Sequence, residues 1–113
     1  MIIWLASYPK SGNTWMWFFI KSYFNPPKKK FSLNHDKDDP YLLETFPTQR
    51  RFNELNIKYE DFLDLSKNWI NLQYLINLNN KTNYLKTHNA MCTVNNNKFT
   101  DTKNTRGAIH IVR

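Results

Sequence analysis

Lys10, Ser11, Gly12, Asn13 and Thr14 form one run, with an apolar segment before it and another behind it. Such a run at a strand-to-helix junction is suited to holding an anion. Backbone N–H groups at a helix start have no partner inside the helix, and the helix dipole adds partial positive charge there. Gly12 lets the backbone approach a bound group, and it is one of only two glycines in the chain. Lys10 supplies a mobile full charge, and Ser11 and Thr14 supply hydroxyl donors. Tyr84-Leu85-Lys86-Thr87-His88 brings a second kind of chemistry. A histidine, with a reference pKa of about 6.5, is suited to general-base work at neutral pH. Ile109-His110-Ile111-Val112-Arg113 ends in a guanidinium, which can grip a phosphate through two parallel hydrogen bonds.

These groups need elements to hold them. Ile2-Ile3-Trp4-Leu5-Ala6 is short, apolar and rich in β-formers, which predicts a buried strand. Trp15 to Phe24 is apolar nearly all round and stops before Pro26-Pro27; it predicts a helix covered on most sides. Residues 25 to 58 hold Pro26, Pro27, Pro40 and Pro47 beside Lys28-Lys29-Lys30 and Asp36 to Asp39. They read as a loop or lid with a short helix near Gln49 to Leu55. The lysine triplet reads as a solvated face. Phe62, Leu65, Trp69, Leu72 and Ile76 step by threes and fours, the core-facing stripe of an amphipathic helix. Ser66 is placed to interrupt it and cap a second segment. Tyr84 to His88 predicts a strand from which Lys86 and His88 leave one face and Thr87 the other. Asn95 to Thr105 is polar and reads as exposed, and Gly107 to Val112 predicts a last strand.

The order β, α, loop, α, β, β implies an α/β fold, a parallel sheet flanked by helices. A parallel sheet needs both faces covered. Because no helix follows the last strand, residues 1 to 113 read as the N-terminal portion of one larger domain. The composition agrees with a folded chain: 41% hydrophobic and 16% aromatic residues. The net charge of +7 favours an anionic partner without choosing one, and Asn and Lys runs throughout suggest a codon bias behind part of it. The single cysteine, Cys92, excludes an internal disulfide framework and a cysteine-based zinc site. No apolar run reaches the roughly 20 residues of a membrane span, and no secretory signal is visible, so a cytoplasmic setting is the default expectation.

Tyr8-Pro9-Lys10-Ser11-Gly12-Asn13-Thr14-Trp15 resembles the 5′-phosphosulfate-binding loop of the cytosolic-type sulfotransferases, which use 3′-phosphoadenosine 5′-phosphosulfate (PAPS). Tyr84 to His88 resembles that family's strand carrying a catalytic Lys-Thr-His, and Ile109 to Arg113 its strand delivering an arginine to the 3′-phosphate. The three matches fall in the family's order. The resemblance implies a P-loop-like sheet and transfer of a sulfuryl group to a hydroxyl or amine on a small-molecule or glycan acceptor. It implies catalytic roles for Lys10, Lys86 and His88: Lys10 at the leaving oxygen, Lys86 at the transferring sulfuryl group, His88 as base. It implies that Lys10, Ser11, Gly12, Asn13, Thr14 and Trp15 hold the 5′ side of PAPS, with Trp15 against the adenine, and that Arg113 binds the 3′-phosphate. No metal is implied. The family's Ser after that arginine, and its later Gly-rich segment over the cofactor, would lie beyond Arg113.

Other readings remain open at the level of residues. Ser-Gly-Asn-Thr alone equally describes a plain capped helix start, and Trp15 equally reads as a core residue. The loop departs from the nucleotide P-loop pattern, because Lys10 precedes the glycine. A P-loop NTPase or kinase would need an acidic magnesium ligand after a later strand, and the two candidate strands end in basic residues. A basic nucleic-acid-binding module is permitted by charge, but it would need an exposed aromatic platform or a recognised motif. His35 and His110 carry no assignable role. Phe31, Tyr41 and Phe46 are candidate walls of an acceptor site.

Overall fold

The computed structural model describes residues 1–24, 44–58 and 61–112. His35, Lys28 to Lys30, Phe31, Tyr41 and Arg113 lie outside the described residues. The chain starts with strand β1 (Ile2–Ser7) and helix α1 (Asn13–Phe24). A two-residue strand β2 (Glu44–Thr45) and helix α2 (Gln49–Glu54) follow, then helices α3 (Phe62–Lys67) and α4 (Trp69–Asn77). Strand β3 (Asn83–Thr87) precedes a small hairpin, β4 (Thr93–Val94) with β5 (Asn97–Lys98), and β6 (Thr105–Ile111) comes last. The main sheet runs β2-β3-β1-β6, and every pairing in it is parallel. The fold is therefore α/β, with helices flanking a four-stranded parallel sheet.

One face of the sheet carries the core. Ile2, Trp4 and Leu85 alternate onto that face and pack with Phe46, Phe52, Trp69, Leu72 and Phe99. Phe99 is the hub, with ring centroids 5.1 Å from Trp4, 5.8 Å from Phe46 and 5.2 Å from Trp69. Polar groups stitch this layer together. Gln73 Nε2 donates to the Phe99 carbonyl at 2.5 Å, Thr100 donates to Gln73 Oε1 at 2.6 Å, and Trp4 Nε1 donates to Thr105 Oγ1 at 2.8 Å. Phe46 belongs to this core, 1% exposed, so it is no wall of an acceptor site. The stretch from Asn95 to Thr105, expected to be exposed, buries Phe99 and Asn104. A short hairpin folds them under the sheet, and two asparagines in the left-handed region, Asn95 and Asn96, make its turn.

The stripe from Leu65 to Ile76 is split, two residues later than expected. Asn68 is both the last cap of α3 and the first cap of α4, whereas Ser66 stays inside α3 and donates to the Leu63 carbonyl. Asp61 caps the start of α3 by accepting from the Asp64 N–H at 2.9 Å. Strand β2 docks on β3 beside α2, and Arg51 ties the two by a forked pair to Glu44, with Nη2 donating at 2.6 Å. Hydrogen bonding to Glu44 raises the pKa of Arg51 despite partial burial.

The opposite face is covered by α1. Tyr84, which alternates away from the core, meets Phe24 of α1 at 5.9 Å between ring centroids. The sequence predicts a helix covered nearly all round, and the structure differs. Only Asn13 and Trp17 of α1 are buried, while Trp15, Phe19, Tyr23 and Phe24 are exposed. An apolar helix on one face of a sheet can bury one stripe only; covering the rest needs further polypeptide or a partner surface.

Candidate functional site at the carboxyl edge of the sheet

Because β1, β3 and β6 are parallel, their C-terminal ends come out on one edge. Ligands of open α/β sheets bind outside that edge. Ala6 pairs with Thr87 on one side and His110 on the other, and Ser7 pairs with Ile111. His88, Tyr8 and Val112 therefore leave the sheet side by side, on strands spaced about 4.8 Å apart. The segments singled out in the sequence converge here, although Arg113 lies outside the described residues.

The loop from Tyr8 to Gly12 is a tight turn with two residues in the left-handed region. Lys10 has φ 66° and Gly12 has φ 94°. For Lys10 that backbone costs about 1–2 kcal/mol, which a glycine there would not pay; strain of this kind collects at functional sites. The Ser11 N–H is used within the turn, donating to the Tyr8 carbonyl at 3.3 Å. The Met16 N–H donates to the Gly12 carbonyl at 3.0 Å, which is the first bond of α1 and makes Gly12 its N-cap. The N–H groups of Asn13, Thr14 and Trp15 thus have no intrahelical acceptor. Lys10 and Thr14 are exposed at this end. Trp15 is 68% exposed, which removes its reading as a core residue. Its ring stacks on Phe19, with centroids 6.0 Å apart and planes inclined by 16°.

His88 is exposed, directly after β3, and its Nδ1 lies 2.7 Å from the Ser7 carbonyl oxygen. A carbonyl only accepts, so Nδ1 carries the hydrogen and the neutral ring presents Nε2 as an acceptor. Lys86 lies two positions earlier, on the Tyr84 face that α1 covers. Thr87 points the other way, fully buried, and its Oγ1 accepts from the Asn89 N–H at 3.1 Å; its place is structural. His110 is exposed on β6.

Sequence reasoning missed two oxygens at this edge. Among the described residues, Ser7 Oγ and Asn13 Oδ1 are buried with no hydrogen-bond partner. For Ser7 the available signal was a short polar residue at a strand end; Asn13 was already singled out in the loop, but not the inward turn of its side chain. Among the described residues no three His, Cys, Asp or Glu side chains gather as a metal site, and no helix is long and apolar enough to cross a membrane. A groove of about 520 Å³, lined by residues including Ser66, Lys67, Ile70, Asn97, Lys98 and Lys103, shares no residue with the strand exits. Compared with protein-family models, curated proteins and solved structures, the chain matches none.

Proposed function

We propose that this edge is the sulfuryl-donor and general-base side of a PAPS-dependent sulfotransferase site. The observation that carries the reading is the 2.7 Å contact from His88 Nδ1 to the Ser7 carbonyl. It leaves Nε2 of the neutral ring as an acceptor, which supports a role as base. It anchors the ring three residues before Lys10, at the root of a loop whose helix starts with N–H groups that have no intrahelical acceptor.

The chemistry follows from these groups. PAPS supplies a sulfuryl group on a phosphate leaving group. His88 Nε2 takes the proton from the acceptor hydroxyl or amine as its heteroatom forms a bond to sulfur. The bond from sulfur to the bridging oxygen breaks, and its electron pair stays on the 5′-phosphate. Lys10 and the N–H groups of Asn13, Thr14 and Trp15 stabilise that charge, which is electrostatic catalysis by donors already in place. Lys86 stands on the same face to steady the sulfuryl oxygens. Ser11, through its hydroxyl, and Gly12, through its bare backbone, complete the 5′ side. Trp15 offers an exposed ring for the adenine, and Arg113 is assigned to the 3′-phosphate. In this reading the parallel sheet is P-loop-like. Residues directly following β1, β3 and β6 include no carboxylate, which favours sulfuryl transfer over magnesium-dependent phosphoryl transfer.

Calorimetry with adenosine 3′,5′-bisphosphate, the product nucleotide, tests the reading. Saturable heat is expected from the chain, and Lys10→Ala should weaken binding about 10- to 100-fold, the loss of one charge-assisted contact. No heat at millimolar nucleotide would overturn the reading.

A further inference from the structure

We propose that the Asn13 side chain is a positioning residue that locks the anion loop onto β1, and that it touches no ligand itself. The inference rests on the sulfotransferase reading for its ligand. Asn13 is the first residue of α1, yet its side chain turns inward and is 3% exposed. Its Nδ2 donates to the Leu5 carbonyl at 2.8 Å, eight residues back in the chain. The acceptor is a carbonyl, so the amide orientation is fixed: nitrogen toward the strand, oxygen unpartnered.

Among the described residues, the turn between β1 and α1 is anchored at its root by the His88 contact to the Ser7 carbonyl. It is closed by a long bond from the Ser11 N–H to the Tyr8 carbonyl at 3.3 Å, and two of its residues have positive φ. The amide of Asn13 is the buried cross-link between the central strand and the helix start. With its side chain held against β1, its own N–H and those of Thr14 and Trp15 lie at the open end of the helix, at the sheet edge. If that link is lost, the helix start can rotate, and the three donors no longer converge on one anion. Tetrahedral oxyanions are recognised by such convergence, so affinity depends on the link although no ligand atom meets it.

Two variants of nearly native size test this. Asn13→Leu removes the donor, and Asn13→Asp replaces it with a carboxylate that cannot donate to the Leu5 carbonyl. Each is compared with the unchanged chain and with Lys10→Ala by calorimetry against adenosine 3′,5′-bisphosphate, well below its own melting temperature. Hydrogen exchange of the Asn13, Thr14 and Trp15 amides is followed without nucleotide. The expected result for a folded variant is at least tenfold weaker nucleotide binding and at least tenfold faster exchange of those amides. The exchange of β1 and β3 amides should not change. A purely structural role would lower the melting temperature but leave the folded protein's nucleotide affinity as it was, and that result overturns the proposal. If Asn13→Leu does not fold, Asn13→Asp decides alone: wild-type affinity and wild-type loop exchange in it would overturn the lock. No binding by the unchanged chain refutes the sulfotransferase reading instead, and the loop exchange rates then decide whether the lock exists.

Discussion

The two faces of the sheet are built on different terms. On the α2 and α4 side, seven buried apolar residues interlock around Phe99, and the polar groups among them form a chain through Gln73, Thr100 and Thr105. On the α1 side a single helix buries Trp17 and Asn13, while its Trp15, Phe19, Tyr23 and Phe24 side chains are exposed. The strained turn, the unpartnered oxygens of Ser7 and Asn13 and the exposed imidazole all belong to this second side or its edge. The difference teaches where stability and chemistry are kept. One face supplies the packing that holds β1 and β3 in register, and the other leaves donors uncommitted where a ligand can use them.

The sharpest way to break this contrast is to cut a large aromatic side chain on each face. Trp69→Ala should cost about 3–5 kcal/mol by leaving a cavity beside Phe99, a large share of a small domain's stability. Phe19→Ser, on the exposed side of α1, should stay within about 0.5 kcal/mol. Urea unfolding monitored by circular dichroism measures both, and comparable losses would show that α1 is as well packed as the core.

His88→Ala tests the edge itself. Turnover should fall by about 10²- to 10⁴-fold, the usual worth of a positioned base, while nucleotide affinity stays nearly intact. Equal activity in the variant would remove His88 from the mechanism. Lys10 separates charge from conformation. Lys10→Gly and Lys10→Ala should weaken nucleotide binding alike. Lys10→Gly should be the more stable of the two by about 1 kcal/mol, because only glycine accepts φ 66° without cost. Thermal melts of the pair read that difference.

The smallest effect concerns α2. A hydrogen bond from Arg50, with the charge of Arg51, lowers the pKa of Glu54. A carboxylate with a depressed folded pKa contributes stability above its unfolded value and loses it as pH falls through the folded one. Melting temperature should therefore drop slightly more on acidification in the native chain than in Glu54→Gln. The shift is small because the pair is exposed.

Much of the architecture was legible in the chain. The apolar run at Ile2 to Ala6 and the polar turn after it are strand and loop as read, and the stripe from Leu65 to Ile76 is helical as read, though divided at Asn68 rather than Ser66. What escaped was set by partners remote in sequence. Glu44 and Thr45 form a strand because β3 offers an open edge, and their own residues do not announce one. Phe99 is buried because Trp4 and Trp69 enclose it, while polar residues surround it in sequence. Local composition was also a poor guide to α1, where apolar content marked what the helix could bury rather than what this chain covers. At the site, the residues around Gly12 and His88 were readable as types. The inward turn of Asn13 and the Ser7 carbonyl's hold on His88 were not, since both depend on backbone atoms that carry no sequence signature.

Ser7 ends the central strand, opens the turn and grips the imidazole through its carbonyl. The spacing between the His88 ring and the Lys10 loop is consequently fixed by three consecutive peptide units. A displacement at the root of the turn drags the ring with it. If the sulfotransferase proposal holds, base and anion loop tune together, and neither can shift without retuning the other.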